Sequence, residues 1–372
     1  MEKIQFCAPC LFGIEGVLAD EMRRMGAEDV IAENGRVKFS GDMAMLARAN
    51  IGSRYAERIQ ILVGSFPART FDELFEGVKA LPWERWIDKS AAFPVKGWAL
   101  NSALHSIPDC QSIIKKAVAD RLSARYGLNW LEETGSVHQI QFTILQDTAT
   151  LLLDTSGAGL HKRGYRRESG GAPIKETLAA AIADLMRVRK ADRVLDPCCG
   201  SGTMLIESAL AAKGIAPGRF RRFSAMDWEA VPADIWRSER ERARSFERPD
   251  RSFTAVGSDI DPQAVKLTLD NAMKAGIGPL VSATPGDLKD FRPEGESGVV
   301  LCNPPYGERL LDVKAAEELY RQMGRVFVPK KGFSYAIISP HEDFETLFGR
   351  RADKRRKLYN GMLKCQLYMY FK

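Results

Sequence analysis

Residues 194–203 have the sequence Val-Leu-Asp-Pro-Cys-Cys-Gly-Ser-Gly-Thr, which predicts a short buried strand, a tight turn and the start of a helix. The two glycines of the turn allow the backbone to come close to a ligand. The segment is neither a GxGxxG pyrophosphate loop nor a P-loop, because no Gly-Lys-Ser or Gly-Lys-Thr follows it. The carboxylate of Asp196 at the strand end would repel phosphate and attract a cationic or amine-bearing ligand. The pattern therefore favours a doubly wound α/β domain with a cofactor site at this turn.

Strand and helix patterns alternate around this segment, from about Ala172 to the end of the chain. Buried strands are predicted at residues 193–196, 255–259, 280–283, 298–302 and 333–339. Helices are predicted at residues 175–188, 203–213, 262–275 and 315–328, and a helical insertion rich in Arg and Trp at residues 214–252. The dipeptide Asn360-Gly361 predicts a terminal hairpin. Residues 166–372 are therefore predicted to form a Rossmann-like, mostly parallel seven-stranded sheet with one antiparallel strand.

The chain before residue 166 is predicted to form two smaller α+β regions. Residues 1–60 follow a βαββα order with a hairpin at Asn34-Gly35. Residues 61–165 predict an amphipathic helix at 111–126 and paired strands on either side of Gln146-Asp147. The segment 156–167 is rich in glycine and cationic residues, and it is either a linker that faces phosphate or a solvated charged linker.

Acidic residues end the strands that follow the glycine turn. Asp259 stands where an adenosine ribose would donate its two hydroxyls, whereas Asp261 is predicted to cap the helix that begins at Pro262. Asp287 follows the next strand and can accept a hydrogen bond from an adenine amino group. Ligands of open α/β sheets bind at the carboxyl ends of the strands. Together with Asp196, these acids indicate S-adenosylmethionine, which carries both a sulfonium and an α-amine.

Asn303-Pro304-Pro305-Tyr306 follows the apolar strand predicted at 298–302. Neither proline can continue a central strand, because proline has no N–H and a fixed φ. Asn303 Oδ1 and the Pro304 carbonyl can accept both protons of a flat NH2 group, and Tyr306 can stack on the ring that carries it. Accepting both protons would favour a pyramidal and more nucleophilic nitrogen without a strong base. Asn303, Pro304 and Tyr306 are therefore the predicted catalytic residues.

The motifs Asp-Pro-Cys-Cys-Gly-Ser-Gly-Thr, Gly-Ser-Asp-Ile-Asp-Pro, Gly-Asp-Leu and Asn-Pro-Pro-Tyr-Gly-Glu-Arg resemble those of class I S-adenosylmethionine-dependent amino-methyltransferases. With residues 164–166, 172–180 and 355–361, the chain more narrowly resembles the bacterial THUMP-containing large-subunit (23S) rRNA guanine-N2 methyltransferases. The resemblance implies that S-adenosylmethionine is the cofactor. The cofactor-binding residues it implies are Asp196, Pro197, Cys198, Gly200, Gly202, Thr203, Asp259, Ile260, Asp287, Leu288 and Asn303.

The same resemblance implies a domain organisation. A ferredoxin-like domain is expected at residues 1–60, a THUMP RNA-binding domain at 61–165 and an S-adenosylmethionine-dependent methyltransferase domain at 166–372. Some family members carry a second, C-terminal methyltransferase that makes 7-methylguanosine, and this sequence is expected to lack it.

The implied reaction is methyl transfer to the exocyclic N2 of a guanine in 23S rRNA or a large-subunit precursor, after the base leaves its stack. The Asn-Pro-Pro-Tyr motif does not distinguish guanine N2 from adenine N6. Four alternatives therefore remain: adenine-N6 methylation of DNA or RNA, guanine-N2 methylation of tRNA, N5 methylation of a protein glutamine, and a non-catalytic RNA-binding role.

RNA is preferred as the substrate because the additional residues of the chain lie before the catalytic domain. The cationic residues between 350 and 357 either contact phosphate or keep an edge strand soluble.

The composition of the chain limits the kinds of partner, site and cellular location that are expected. Lys and Arg number 54 and Asp and Glu 48, a net charge of +6 that suits an anionic partner without identifying one. The 7 cysteines are scattered and the 4 histidines lack ligand spacing, so neither a disulfide framework nor a metal site is predicted. No long apolar run and no signal-peptide pattern occur, which predicts a cytoplasmic protein without a membrane span. The oligomeric state is left open.

Overall fold

The computed structural model describes residues 3–166, 174–306 and 313–371. The chain divides into two compact units. The first unit contains Met1–Pro9, Ala19–Leu160 and Phe220–Arg242, and the second contains Cys10–Leu18, His161–Arg219 and Ala243–Lys372. Every residue of the predicted site lies in the second unit.

The elements before residue 160 build a mixed sheet with helices. They are β1 (Ile4–Pro9), α1 (Glu15–Arg24), β2 (Glu28–Glu33), β3 (Arg36–Gly41), α2 (Met43–Gly52), β4 (Gln60–Pro67), α3 (Phe71–Lys79), β5 (Val95–Leu100), α4 (Ile107–Tyr126), β6 (Ile140–Leu145) and β7 (Thr148–Asp154). The strands form one seven-stranded sheet in the order β2-β3-β1-β4-β7-β6-β5. All neighbouring pairs are antiparallel except β5 and β6, which are parallel.

Strand β4 was not predicted, and it joins the two N-terminal regions in one sheet. It pairs with β1 on one side and with β7 on the other. The sequence of β4 does not show a regular strand pattern, because Gly64 and a bulge between Leu62 and Gly64 interrupt the alternation of apolar and polar residues. The turn between β6 and β7 was predicted correctly. Gln146 and Asp147 both have positive φ, at 48° and 59°, as a two-residue hairpin of this type requires.

The elements after residue 174 form the second sheet and its helices. They are α5 (Glu176–Leu185), β8 (Arg193–Asp196), α6 (Thr203–Ala212), α7 (Ala233–Ser245), β9 (Thr254–Asp259), α8 (Pro262–Lys274), β10 (Val281–Pro285), β11 (Gly298–Cys302), α9 (Val313–Val326), β12 (Phe333–Ser339), α10 (Phe344–Phe348), β13 (Lys354–Asn360) and β14 (Leu363–Tyr370). The strand order is β10-β9-β8-β11-β12-β14-β13. Among these strands, β14 is antiparallel to both β12 and β13, and every other neighbouring pair is parallel, so the predicted sheet is confirmed.

The order of this sheet places a switch point between β8 and β11. From β8 the chain continues to β9 and β10 on one side, and it then returns to β11 on the other. Crossover connections on the two sides leave a crevice at the carboxyl ends of the central strands. Strand β11 is buried along its whole length, so the residue that follows it is held by a rigid element.

The predicted helical insertion at 214–252 is confirmed only for α7. Residues Phe220–Arg242 belong to the first unit rather than to the unit that contains the second sheet. There the Trp228 ring stacks on His138 with 4.3 Å between centroids, and Glu239 forms an ion pair with Arg48 at 2.7 Å. Part of the insertion thus packs inside the first unit.

Candidate active site

A cavity of about 1040 Å³ opens at the carboxyl ends of β8, β9, β10 and β11. It brings together residues that are up to 145 positions apart in the chain, from Ile174 to Leu319. Of the predicted site residues, those that line it are Asp196, Pro197, Cys198, Gly200, Thr203, Asp259, Ile260, Asp287, Leu288, Asn303, Pro304 and Tyr306. Gly202 belongs to the same turn but does not line the cavity.

The two glycines of the turn between β8 and α6 have different roles. Gly200 has φ +54° and no neighbouring atom within 4 Å of the position a Cβ would take, so its backbone faces open space. Gly202 has φ +78°, and a Cβ there would lie 2.8 Å from Thr268 Cγ2. Thr268 Oγ1 in turn donates to the Gly200 carbonyl at 2.8 Å. Gly202 therefore allows the turn to pack against α8, whereas Gly200 leaves room for a ligand.

Asp196 is a buried carboxyl at the end of β8. It is 2% exposed, and its Oδ1 accepts a hydrogen bond from the Cys198 N–H at 3.1 Å. Burial raises the pKa of Asp196 from 3.8 to about 8, with a smaller contribution from the charge of Asp259. Burying an ionised carboxylate is costly unless a positive group compensates it. The site thus favours a cationic or amine-bearing ligand beside Asp196.

Asp259 links the ends of β8 and β9. Its Oδ2 accepts the Gly200 N–H at 2.9 Å and its Oδ1 accepts the Asp261 N–H at 3.0 Å. A carboxylate has about four lone-pair sites, so acceptor capacity remains for hydroxyl groups. Asp261 caps α8 by accepting the Gln263 N–H at 2.9 Å, with Pro262 in the first turn, as predicted.

Asp287 stands at the rim of the cavity after β10. Its side chain accepts the Lys289 N–H at 3.0 Å and pairs with Lys289 Nζ at 3.0 Å. The hydrogen bond from the Lys289 backbone is the main reason why the pKa of Asp287 lies below its ordinary value. The carboxylate is therefore ionised at neutral pH and can accept further hydrogen bonds.

Apolar side chains flank these acids. Ile260, which follows Asp259, is 75% exposed, and Leu288, which follows Asp287, is 5% exposed. Both line the cavity. An exposed isoleucine at a cavity rim is available to cover one face of a flat ring.

Asn303 follows the last residue of β11. Its Oδ1 is buried and has no hydrogen-bond partner within residues 3–166, 174–306 and 313–371. Leaving a buried polar atom without a partner costs about 1–3 kcal/mol, and such atoms in native proteins call for an explanation. Pro304 is buried beside it, and Pro305 and Tyr306 continue the lining of the cavity. An unpaired acceptor on a residue that lines the cavity, together with an aromatic ring from a second lining residue, forms a suitable receptor for an aromatic amine.

The segment 156–167 was predicted to be either a linker that faces phosphate or a solvated charged linker. Both predictions are wrong for Arg163 and Arg166. Arg163 is 8% exposed and its Nε lies 3.4 Å from Oε1 of the buried Glu207, which also accepts the Tyr165 hydroxyl at 3.0 Å. Arg166 donates to Thr203 Oγ1 at 3.2 Å and to Glu176 at 3.1 Å. These guanidinium groups neither face phosphate nor lie in solvent. They fix the segment to α6 and to the first residue of α5.

Several cavity residues were not predicted. Ile174, Met204, Leu267 and Leu319 also line it, and Ile174 and Met204 are 4% and 2% exposed. In the sequence these residues are indistinguishable from helix positions of the core. One signal was available for two of them, because helices that follow the strands of such a sheet begin at its ligand-binding edge. Met204 and Leu267 lie in the first two turns of α6 and α8.

The cationic residues between 350 and 357 fall into two groups, one that contacts other parts of the protein and one that is exposed. Arg350 lies over the Tyr370 ring at 4.4 Å and Arg356 donates to the Gly13 carbonyl at 2.7 Å, so both act within the protein. The exposed members on edge strand β13 are called the β13 basic stripe, and they are Lys354, Arg355 and Lys357. Arg355 also pairs with Glu345 at 3.3 Å.

Other kinds of site are absent from the described ranges. No group of three or more His, Cys, Asp or Glu within residues 3–166, 174–306 and 313–371 could hold a metal ion. All 7 cysteines are free thiols. Across the same part of the chain, no helix is long and apolar enough to cross a membrane.

Family models match the chain in three consecutive parts. The RlmL ferredoxin-like domain matches residues 5–60, the THUMP domain residues 68–154 and the RMKL-like methyltransferase domain residues 163–369. The fold class predicted from the sequence is thereby confirmed. The domain boundaries at 60 and 165 stay predictions.

Relatives of known name agree with this assignment. The YpsC protein of Bacillus subtilis (strain 168), named provisionally as an RNA methyltransferase, is 44% identical over 100% of this chain and 97% of its own length. The ribosomal RNA large subunit methyltransferase K/L of Methylococcus capsulatus (strain ATCC 33009 / NCIMB 11132 / Bath) is 35% identical over 98% of this chain. The chain spans about half of that relative, 51% of its length.

Among solved structures, SMU.472 complexed with SAH is similar over 100% of this chain and 98% of its own, with a TM-score of 0.95 and 41% identity. These matches confirm the resemblance to bacterial THUMP-containing rRNA methyltransferases and, with it, S-adenosylmethionine as the cofactor. The chain belongs to the RMKL-like methyltransferase family, in which its methyltransferase domain follows a ferredoxin-like and a THUMP domain.

Proposed function

We propose that this protein transfers a methyl group from S-adenosylmethionine to the exocyclic N2 of a guanine in 23S rRNA or a large-subunit precursor. The observation that carries the proposal is the buried Oδ1 of Asn303, which lacks a partner in the described chain and belongs to a residue that lines the same cavity as Tyr306. An aromatic NH2 group would satisfy this acceptor, and Tyr306 would cover the ring.

The cavity residues suit the cofactor group by group. The Asp196 carboxyl would face the positive charge or the amine of the methionine part, which would favour ionisation of this buried group. Asp259 would accept the ribose hydroxyls, and Asp287 would accept from the adenine amino group. Ile260 and Leu288 would cover the adenine ring. When bound, S-adenosylmethionine would supply a methyl group whose bond to sulfur breaks as a bond to the acceptor nitrogen forms, and the nitrogen would then release one proton to solvent water.

Asn303 and Pro304 would act on the acceptor rather than on the cofactor. The lone pair of an aromatic amine is delocalised into its ring, which makes the nitrogen a weak nucleophile. Two carbonyl oxygens that accept both N–H groups would favour a pyramidal nitrogen and orient its lone pair. Preorganised acceptors of this kind act through position and charge, and they need no group with a shifted pKa at the nitrogen.

Tyr306 would receive a base that has left its stack. Enzymes that modify a base inside a folded nucleic acid extrude it into a pocket and hold it by stacking and by hydrogen bonds to its edge. The THUMP match at 68–154 and the relative named as a large-subunit rRNA methyltransferase support RNA, and ribosomal RNA in particular, as the substrate. The assignment to guanine N2 rests on the resemblance of the motifs.

The test is methyl transfer from labelled S-adenosylmethionine to separated unmodified 23S rRNA, tRNA and DNA. The expected result is incorporation into 23S rRNA by the wild-type protein and none by Asn303→Ala. The matched control is Asn34→Ala, which makes the same change at an exposed asparagine outside both the cavity and the THUMP match and should methylate as the wild type does. Label confined to tRNA or DNA would overturn the substrate while leaving the chemistry intact, and label in none of the three would overturn the proposed function.

A further inference from the structure

The terminal hairpin reaches the candidate active site through a side-chain contact. Asn360, the last residue of β13, donates a hydrogen bond from Nδ2 to the Tyr306 hydroxyl at 2.8 Å. The two residues are 54 positions apart in the chain and belong to different elements. The Asn360-Gly361 dipeptide by itself predicts only a turn, so the contact gives the asparagine a role that the turn does not require.

The hairpin is a firm support for this contact. Strand β14 pairs with β12 inside the sheet, and Asn360 is opposite Leu363 in the last pair of the β13–β14 ladder. Leu358 and Cys365 are 0% and 1% exposed, and the Tyr359 ring meets Phe12 edge-on at 5.8 Å. A side chain at the end of a paired and packed strand is placed more accurately than one on a loop.

The backbone of the turn leaves the Asn360 side chain free for this purpose. The left-handed conformation of the turn falls on Gly361, with φ +65°, and Asn360 is not among the residues with positive φ in the described chain. Asparagine is therefore not needed at 360 for backbone geometry, since the residue with the special φ is the glycine. Its amide is used instead to hold the end of the Tyr306 side chain.

We propose that Asn360 is a positioning residue that fixes the plane of the Tyr306 ring for the incoming base. The inference rests on the proposed function, because Tyr306 is taken there to stack on the methyl acceptor. A ring held only at Cβ can rotate about its χ torsions, whereas a hydrogen bond at the hydroxyl fixes the opposite end as well. A preset ring plane lowers the cost of ordering the base for attack.

Surroundings of the turn agree with this role. Met362, two residues beyond Asn360, is 98% exposed, so the tip of the hairpin faces solvent. The β13 basic stripe lies on the strand that leads to the tip. A nucleic acid that approaches the cavity would thus meet an element that is tied directly to Tyr306.

The test is a double-mutant cycle of Asn360→Ala and Tyr306→Phe in which kcat of methyl transfer is measured. The substrate is the RNA that the methyl-transfer experiment of the previous subsection identifies. Each single change removes the same hydrogen bond and leaves a ring in place. We expect Asn360→Ala to lower kcat about fivefold, the rate equivalent of one neutral hydrogen bond. The affinity for S-adenosylmethionine should stay within about twofold. On the Tyr306→Phe background, Asn360→Ala should have no further effect. Equal losses on both backgrounds would show that Asn360 supports only the hairpin, and would overturn the inference.

A second readout does not depend on catalysis. With 3-fluorotyrosine placed at position 306, Asn360→Ala should move the fluorine resonance of the ligand-free protein and narrow it as the ring gains freedom. An unmoved resonance would contradict the contact itself. If the protein methylates none of the RNAs tested but the resonance moves, the proposed function is refuted while the Asn360–Tyr306 hydrogen bond is confirmed.

Discussion

Replacing Asp196 with Asn gives the sharpest test of how the cofactor is held. The pKa of the Asp196 carboxyl is raised to about 8 by burial, so about one protein molecule in eleven is ionised there at pH 7 and about ten in eleven at pH 9. If the cofactor binds the ionised form, its affinity should rise about tenfold between these two pH values, which corresponds to about 1.4 kcal/mol. The affinity is expected to increase with pH because the raised pKa leaves Asp196 mostly protonated at pH 7. A higher pH increases the population of the charged form, which a cationic or amine-bearing ligand prefers.

The assay is isothermal titration with SAH from pH 6.5 to 9. Asn at 196 keeps the oxygen that accepts the Cys198 N–H but cannot ionise, so the variant reports any titration of the ligand itself. The ratio of wild-type to variant affinity should therefore rise about tenfold from pH 7 to pH 9. A ratio that stays constant with pH, or a variant that binds as tightly as the wild type at pH 9, would refute the role given to Asp196.

The same substitution makes a prediction about stability without ligand. The pKa of Asp196 is higher in the folded protein than its ordinary value of 3.8, so the folded state binds this proton more tightly than the unfolded state. The stabilisation is complete below the ordinary value and is lost as the pH rises through about 8. Asp196→Asn should therefore become more stable than the wild type as the pH increases from 5 to 8.5, measured by denaturant unfolding at each pH. A stability difference that is independent of pH would show that the carboxyl is not buried in this way.

Three further outcomes are expected. Asn303→Ala should lower kcat by about 10²–10³, as is typical for loss of one preorganised group, while SAH affinity in the same titration stays within about twofold; equal losses of both would place Asn303 in cofactor binding. Gly202→Ala should destabilise the fold by about 1–3 kcal/mol in denaturant unfolding, because of its φ of +78° and the 2.8 Å approach to Thr268, and more than Gly200→Ala, whose added methyl meets open space. Changing the three residues of the β13 basic stripe to Ala should weaken RNA binding and reduce the slope of log K against log salt by about 0.7 for each phosphate that the protein no longer neutralises; an unchanged slope would show that the stripe only keeps the edge strand soluble.

Much of the second unit could be predicted because its patterns are local. Strands β8, β9 and β11 are short, largely apolar runs, and each ends in or is followed by a residue with distinct chemistry: Asp196, Asp259 or Asn303. The topology of a doubly wound sheet then brings those ends to one edge without further information. The predicted residues at the strand ends follow from this rule, and all the predicted site residues except Gly202 line the cavity.

The remaining features depend on contacts between distant parts of the chain. Strand β4 is defined by its two neighbours rather than by its own interrupted pattern. Arg163 and Arg166 resemble a phosphate-binding linker in the sequence, yet buried partners such as Glu207 and Glu176 turn them inward. A charged run carries no signal of which acids will face it after folding. The Asn360–Tyr306 hydrogen bond could not be foreseen for the same reason, since it joins residues 54 positions apart.

The most direct test of the central claim is the identity of the methylated atom. Hypomethylated 23S rRNA would be treated with the protein and S-adenosylmethionine carrying an isotopically labelled methyl group, digested to nucleosides and analysed by mass spectrometry. The expected product is labelled N2-methylguanosine that disappears with Asn303→Ala. Labelled N6-methyladenosine, or label that persists in the Asn303 variant, would contradict the proposed reaction.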